Sequence, residues 1–194
     1  MDKVNDEPEE ISKKKYEWLS KNKPKYGSSC HGANFVNFLK NLNYKTIIDV
    51  GTGHGEMCTR LSPYYDHVYG LDWVMSPTKE VEETKNITFF KNSATEIPLP
   101  DKSVDILISF DFFEHITPSN INKVLTEMKR VTKYAMVHKP CFENPSGTCK
   151  AKLEKVFGDG ELHLTRENKN FWWNLFKAKS EQVYRIENAF YILI

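Results

Sequence analysis

Glycines at 51, 53 and 55 follow the apolar run Thr46 to Val50, and a carboxylate, Asp49, lies inside that run. A buried strand entering a glycine loop brings backbone N–H groups close to a ligand, a common way of holding a nucleotide-derived cofactor. A dinucleotide loop needs G-x-G-x-x-G, for the tight turn, the approach to pyrophosphate and the packing of the next helix. Here the third glycine comes one residue early and Glu56 occupies its place, which would aim a carboxylate at the pyrophosphate. No Gly-Lys-Ser/Thr follows, so a Walker A loop is excluded. Asp49 suits a cofactor with a positive centre or an ammonium group better than one with phosphates. A second constellation, Asp111, Glu114 and His115 in "SFDFFEHITPSN", falls just beyond another apolar run, "VDILIS". Those side chains either supply acid–base chemistry, or pack beside a ligand and favour the entrance of the helix that Thr117 begins.

The elements that would position these residues alternate along the chain. Strands are predicted over 46–50, 67–71, 87–91, 104–109 and 134–139, each apolar and rich in β-branched or aromatic residues. Before the first of them, Phe35, Phe38, Leu39 and Leu42 are spaced as one face of a helix. Glu56 to Leu61 reads as a helix stopped by Pro63. Ser76 is expected to cap another with Pro77 at its first position. Thr117 and Pro118 open a third, whose buried stripe is Ile121, Val124, Leu125, Met128 and Val131. Within 140–168, a long irregular stretch made non-helical at first by Pro140, Pro145 and Gly147, "KAKLEKVF" forms one short helix, and 169–178 forms another after it. "EQVYRI" and "AFYILI" pair as a hairpin turning at Glu187-Asn188. Residues 1–31 read as a solvated tail and a lysine-bearing helix or lid, and 32–194 as one α/β domain. Its sheet is mainly parallel and covered on both faces, with ligands expected beyond the carboxyl ends of the central strands.

Composition bounds the function. At 194 residues the chain has the size of one domain, and 27 basic against 26 acidic residues leave a formal charge of +1. That balance makes no electrostatic case for clamping nucleic acid, although a local basic patch is compatible with it. Cys30, Cys58, Cys141 and Cys149 have no zinc or redox spacing and read as reduced thiols. No run approaches the ~18 apolar residues of a membrane span, and the charged N-terminus is not signal-like. The expectation is a cytoplasmic protein, acting in host cytoplasm if viral, with no membrane partner and an open oligomeric state.

"IIDVGTGHGE" resembles motif I of class I S-adenosylmethionine (SAM)-dependent methyltransferases, the D-x-G-x-G-x-G form. "VYGLDW", "NSATEIPLPDKSVDILIS" and "FDFFEHI" are similar to later segments of that family in order, the last to its methyltransferase-11-like group. The resemblance covers roughly residues 32–139, and the final hairpin fits the family's closing strands. It implies a Rossmann-like, seven-stranded, mainly parallel sheet with helices on both faces and a C-terminal antiparallel hairpin. It also implies SAM as cofactor, held by Asp49, Gly51, Gly53 and Gly55, with Asp72 taking both ribose hydroxyls. Trp73 and Phe110 complete that set, and adenine falls to the Ser93 hydroxyl or the Ala94 backbone, since Ser93 stands where relatives often carry an acid. A Rossmann-like fold whose loop has lost its ligand is the alternative.

For the reaction, the post-strand segment "SFDFF" lacks the proline pair of nucleic-acid amino-methyltransferases, which disfavours base amino-methylation. Cys141 matches one cysteine of RNA cytosine-C5 enzymes, but the second is missing, so it reads as a loop thiol or pocket wall. D-x-x-E-H resembles the E-x-x-E-H metal motif of ubiquinone-type and small-RNA 2′-O-methyltransferases, with His163 as the added histidine. That implies a divalent cation such as Mg²⁺ or Zn²⁺ on Asp111, Glu114, His115 and His163. Without metal, His115 or His163 is the general base, with Asp111 beside it. Trp172 and Trp173 either wall an acceptor pocket or serve as core and surface contact, and Tyr26 and His31 either close over the cofactor or merely pack. The expected function is methyl transfer to a small-molecule acceptor at oxygen. The rivals are an RNA or RNA-cap methyltransferase, for which the lysine-rich helix speaks, and a non-catalytic SAM-binding or scaffolding protein.

Overall fold

The alternation of strands and helices is present in the computed structural model, which describes residues 9–23, 25–142 and 149–194. In chain order the elements are α1 (Glu9–Asn22), α2 (Val36–Lys40), β1 (Thr46–Val50), α3 (Glu56–Leu61), β2 (His67–Asp72), α4 (Lys79–Glu83) and β3 (Ile87–Lys91). There follow β4 (Val104–Phe110), α5 (Pro118–Val131), β5 (Thr132–Lys139), α6 (Lys150–Phe157), α7 (Lys169–Lys179), β6 (Val183–Ile186) and β7 (Ala189–Leu193). Among the described residues no helix is long and apolar enough to cross a membrane. Pro145 and Gly147, and most of the acidic tail, lie outside the described residues.

The strands form one sheet in the order β3-β2-β1-β4-β5-β7-β6, parallel except for β7, which runs antiparallel to both β5 and β6. Strand order reverses between β1 and β4, so their carboxyl ends diverge and open a crevice. Every residue of β4 is buried, as a central parallel strand covered on both faces requires. Alternate strand residues serve two cores. Ile48, Val50, Leu107 and Met136 pack with the α5 stripe and with Trp172 and Phe176 of α7. Ile47, Ile106, Ile108 and Val137 pack with Phe35, Leu39, Met57 and Leu61 on the other face. A third, smaller cluster joins Leu19 of α1 to Cys149 and Leu153 at α6.

Local details depart from expectation where tertiary contacts intervene. The helix assigned to Ser76 and Pro77 begins two residues later, capped by Thr78 Oγ1 accepting from the Val81 amide at 3.3 Å. His54 pulls that segment straight: its ring pairs with the Ser76 carbonyl at 2.6 Å and its own carbonyl accepts from the Thr78 amide at 3.1 Å. Thr117 stands at the N-cap of α5, but its hydroxyl pairs with Ser119 at 3.2 Å instead of capping. Phe35 belongs to a 3₁₀ turn preceding a short α2. The largest departure is α1, which begins at Glu9 and is not solvated all round: Lys15 is 0% exposed. Its Nζ donates to Asp159 Oδ2 at 3.2 Å and to the Glu161 carbonyl at 3.0 Å.

Candidate active site

Beyond the carboxyl ends of β1, β2 and β4 lies a cavity of about 410 Å³. Its floor at one end is the glycine loop. Gly51 and Gly53 have φ of +81° and +62°, the left-handed region where a side chain is strained. A Cβ on Gly53 would stand 2.1 Å from the Gly27 carbonyl oxygen, so the loop can be approached by the segment before α2 only because it is bare. Gly55, expected in the lining, is outside it; it starts α3 at φ +92° and backs onto Val81.

Two carboxylates face this end. Asp49 is buried, and burial pushes its pKa up to about 7. Asp72 is held by three backbone amides: Gly53 donates to Oδ2 at 3.0 Å, and Val74 and Met75 donate to Oδ1 at 3.0 and 2.9 Å. Burial raises the Asp72 pKa and those amides oppose the rise. Trp73, Ala94 and Phe110 line the cavity, Phe110 stacked on Phe35 at 5.3 Å. Ser93 does not line it. Its hydroxyl is turned into a local loop, 2.9 Å from Thr95 Oγ1 and accepting the Thr95 amide at 3.2 Å, beside a smaller cavity of about 70 Å³. Asn92, a position the sequence did not mark, lines the main cavity instead.

The opposite end is a cluster of Glu114, His115 and His163, whose candidate ligand atoms all lie within 4.8 Å of one another. Glu114 is 1% exposed, and among the described residues neither carboxylate oxygen has a hydrogen-bond partner of good geometry. Its pKa is pushed up to about 7, mainly by burial, with the backbone N–H groups of Glu114 and Cys141 opposing. His115 Nδ1 lies 2.8 Å from the Tyr16 hydroxyl and 3.0 Å from the Leu162 carbonyl. A carbonyl only accepts, so the proton on Nδ1 donates there and Nε2 is the acceptor end. Burial lowers the pKa of His115 and is the main cause of a lowered His163, so both rings are held toward the neutral form. Their rings meet edge to face at 4.8 Å. The Glu161 carboxylate accepts the His163 amide at 3.2 Å and pairs with Lys150 and Arg166, fixing the loop that carries His163.

Asp111 is absent from this cluster, against the four-ligand expectation. In a left-handed backbone conformation, φ +47°, its carboxylate turns the other way, to Lys139 Nζ at 2.7 Å and His31 Nδ1 at 2.9 Å. Trp172 and Trp173 do not wall the cavity either. Trp172 is core, at 0% exposed, and Trp173 lies between Lys177 and Arg185. The cover comes from elsewhere: Tyr16 of α1, then Tyr26, Gly27 and Ser29 to Gly32, with Cys141, Cys149 and Leu162. Of the two readings of Tyr26 and His31, the structure places both in the cavity lining, with Cys141 as a wall residue. Tyr16 was not singled out, because the lysines around it read as a wet face; its spacing to Leu19 was the available signal.

Residues 48–135 match the family described as methyltransferase domain (Methyltransf_11). Phosphoethanolamine N-methyltransferase 1 of Triticum aestivum is 29% identical over 119 residues, which cover 56% of this chain and 24% of that protein. The chain spans between 23% and 36% of the length of the curated relatives it matches. A SAM-dependent methyltransferase from Aquifex aeolicus shares the fold with a TM-score of 0.55 at 22% identity, over 96% of this chain and 97% of that one. Magnesium protoporphyrin IX methyltransferase from Synechocystis, solved with bound S-adenosylhomocysteine, does so at 0.67 and 11% identity, over 95% and 98%. In motifs, strand order and the family match over residues 48–135, the chain is similar to the class I SAM-dependent methyltransferases.

Proposed function

We propose that this protein binds SAM at the glycine-loop end of the cavity and transfers its methyl group to the oxygen of a small acceptor held at the imidazole end. One observation carries this: a single roofed cavity joins the glycine loop and Asp72 to Glu114, His115 and His163. Asp49 offers negative charge to the amino group of the cofactor's methionine part, and the amide-anchored Asp72 offers its remaining lone pairs to ribose hydroxyls. SAM carries its own leaving group, so the chain's task is alignment and removal of a proton. The roof favours a small acceptor over a polymer, and Lys150 is the one Lys or Arg among the described lining residues, which weighs against an RNA strand. A metal-free reaction is the better reading of the imidazole end. Asp111 is committed to Lys139 and His31, so the four-donor set is not assembled.

Calorimetry with SAM tests the cofactor half. Asp72→Ala should weaken binding roughly 100-fold or more, the loss of two charged hydrogen bonds at about 1.5–3 kcal/mol each. Unchanged affinity in a variant that still melts cooperatively overturns it. Incubation with methyl-tritiated SAM and separated cell-extract fractions tests the acceptor. Label in the small-metabolite fraction supports the proposal, label in RNA favours the RNA rival, and label in neither favours a SAM-binding protein without activity.

A further inference from the structure

We infer that His31, oriented by Asp111, is the residue that takes the acceptor's proton; this rests on the methyl-transfer reading above. Both residues line the cavity, yet they come from the segment before α2 and from the end of β4. The Asp111 carboxylate is fixed at both oxygens, by Lys139 Nζ at 2.7 Å and His31 Nδ1 at 2.9 Å. Its own amide donates to the Lys139 carbonyl at 2.8 Å, which fastens the backbone at its unusual φ. A carboxylate accepting from Nδ1 sets the imidazole tautomer with its proton on that nitrogen and leaves Nε2 with a lone pair. The same carboxylate stabilises the imidazolium that forms when Nε2 is protonated.

Exposure separates His31 from the other two cavity imidazoles. A base must pass its proton to water in every turnover. The His31 side chain is 54% exposed while the residue lines the cavity, whereas His115 is half-buried with Nδ1 taken up by the Tyr16 hydroxyl and the Leu162 carbonyl. His163 is half-buried, and its burial and the neighbouring His115 both disfavour its protonated form. Around His31 the charged groups are Asp111 and, through it, Lys139; His115 feels its charge across the cavity. In the step, the acceptor oxygen forms its bond to the SAM methyl carbon and the carbon–sulfur bond breaks, its electrons remaining on the neutral thioether. The O–H electrons stay on oxygen, and the proton goes to His31 Nε2 and from there to solvent.

Two measurements test this. In the free protein, the His31 imidazole is followed by NMR across pH. Asp111→Asn should shift its neutral ring away from the Nδ1–H tautomer, and an unaltered tautomer overturns the pairing. With methyl-tritiated SAM and the small-metabolite fraction, His31→Gln should slow transfer roughly 100-fold. It should also remove the acidic limb of the pH–rate profile, with SAM affinity by calorimetry unchanged within about threefold. Transfer by His31→Gln at the wild-type rate, with the same limb, overturns the role of His31 alone. A wild-type protein that binds SAM and labels nothing overturns the methyl-transfer reading and this inference together.

Discussion

At the glycine-loop end, ligand-facing groups are mostly backbone, drawn from strands adjacent in the sheet. Gly51 and Gly53 follow β1, and Asp72 closes β2 and ties back to the Gly53 amide at 3.0 Å. At the imidazole end they are side chains from segments far apart in the chain. Tyr16 of α1 meets His115 and stands over a cluster completed by His163, while His31 meets Asp111. The first end depends on bare backbone and tolerates no added atoms. The second depends on buried polar groups, one of which, Glu114, has no good hydrogen-bond partner among the described residues. A carboxylate in that state costs stability unless a ligand or proton compensates it, which is how a site differs from a core.

Substitution at the bare backbone should have the largest effect. Gly53→Ala places a Cβ 2.1 Å from the Gly27 oxygen at φ +62°, so loop and cover cannot both keep their positions. SAM binding should weaken beyond roughly 100-fold by calorimetry, a penalty of about 3 kcal/mol or more. Binding near the wild-type value would show that the cover is not needed at this end.

Glu114→Gln probes the other end and should move activity and stability in opposite directions. The folded pKa of Glu114 is raised from 4.5 to about 7, so the wild type is most stable below pH 4.5 with respect to this group and loses stability as pH rises through 7. Removing that ionisation should make the variant more stable at pH 8 by up to roughly 3 kcal/mol. Transfer should slow by roughly tenfold or more, and added chelator should leave the wild-type rate unchanged. A variant less stable at pH 8, or a wild-type rate lost to chelation, would replace the strained-carboxylate account with a ligand-supported one.

The smallest effect is expected at the contact joining cover to site. Tyr16→Phe removes one hydrogen bond to His115, worth about 1 kcal/mol net. Transfer should fall about fivefold with SAM affinity unchanged, and a loss as large as that of His31→Gln would place Tyr16 among the reacting groups.

The legibility of the sequence follows the same division. The glycines, Asp49 and Asp72 could be read directly, because each strand end is followed at once by the loop it positions. The α5 stripe was equally legible, since a period of 3.6 residues states which face is buried. Ser93 misled because a short hydroxyl can bond its own turn as well as a ligand, and here it chose Thr95. Asp111 misled because D-x-x-E-H on a line gives no direction, and a left-handed residue at the strand end turned its carboxylate toward Lys139 and His31.

Local sequence therefore determined the strands, the loop between β1 and α3 and the kind of cofactor it suits, through period, glycine and a carboxylate at fixed short range. Tertiary structure alone decided which lysine is buried, that α1 covers the site, that Trp172 is core, and which histidine meets which acid. Those depend on where the chain returns after long excursions, and contacts such as Lys15 to Asp159 or His31 to Asp111 leave no periodic trace in either segment.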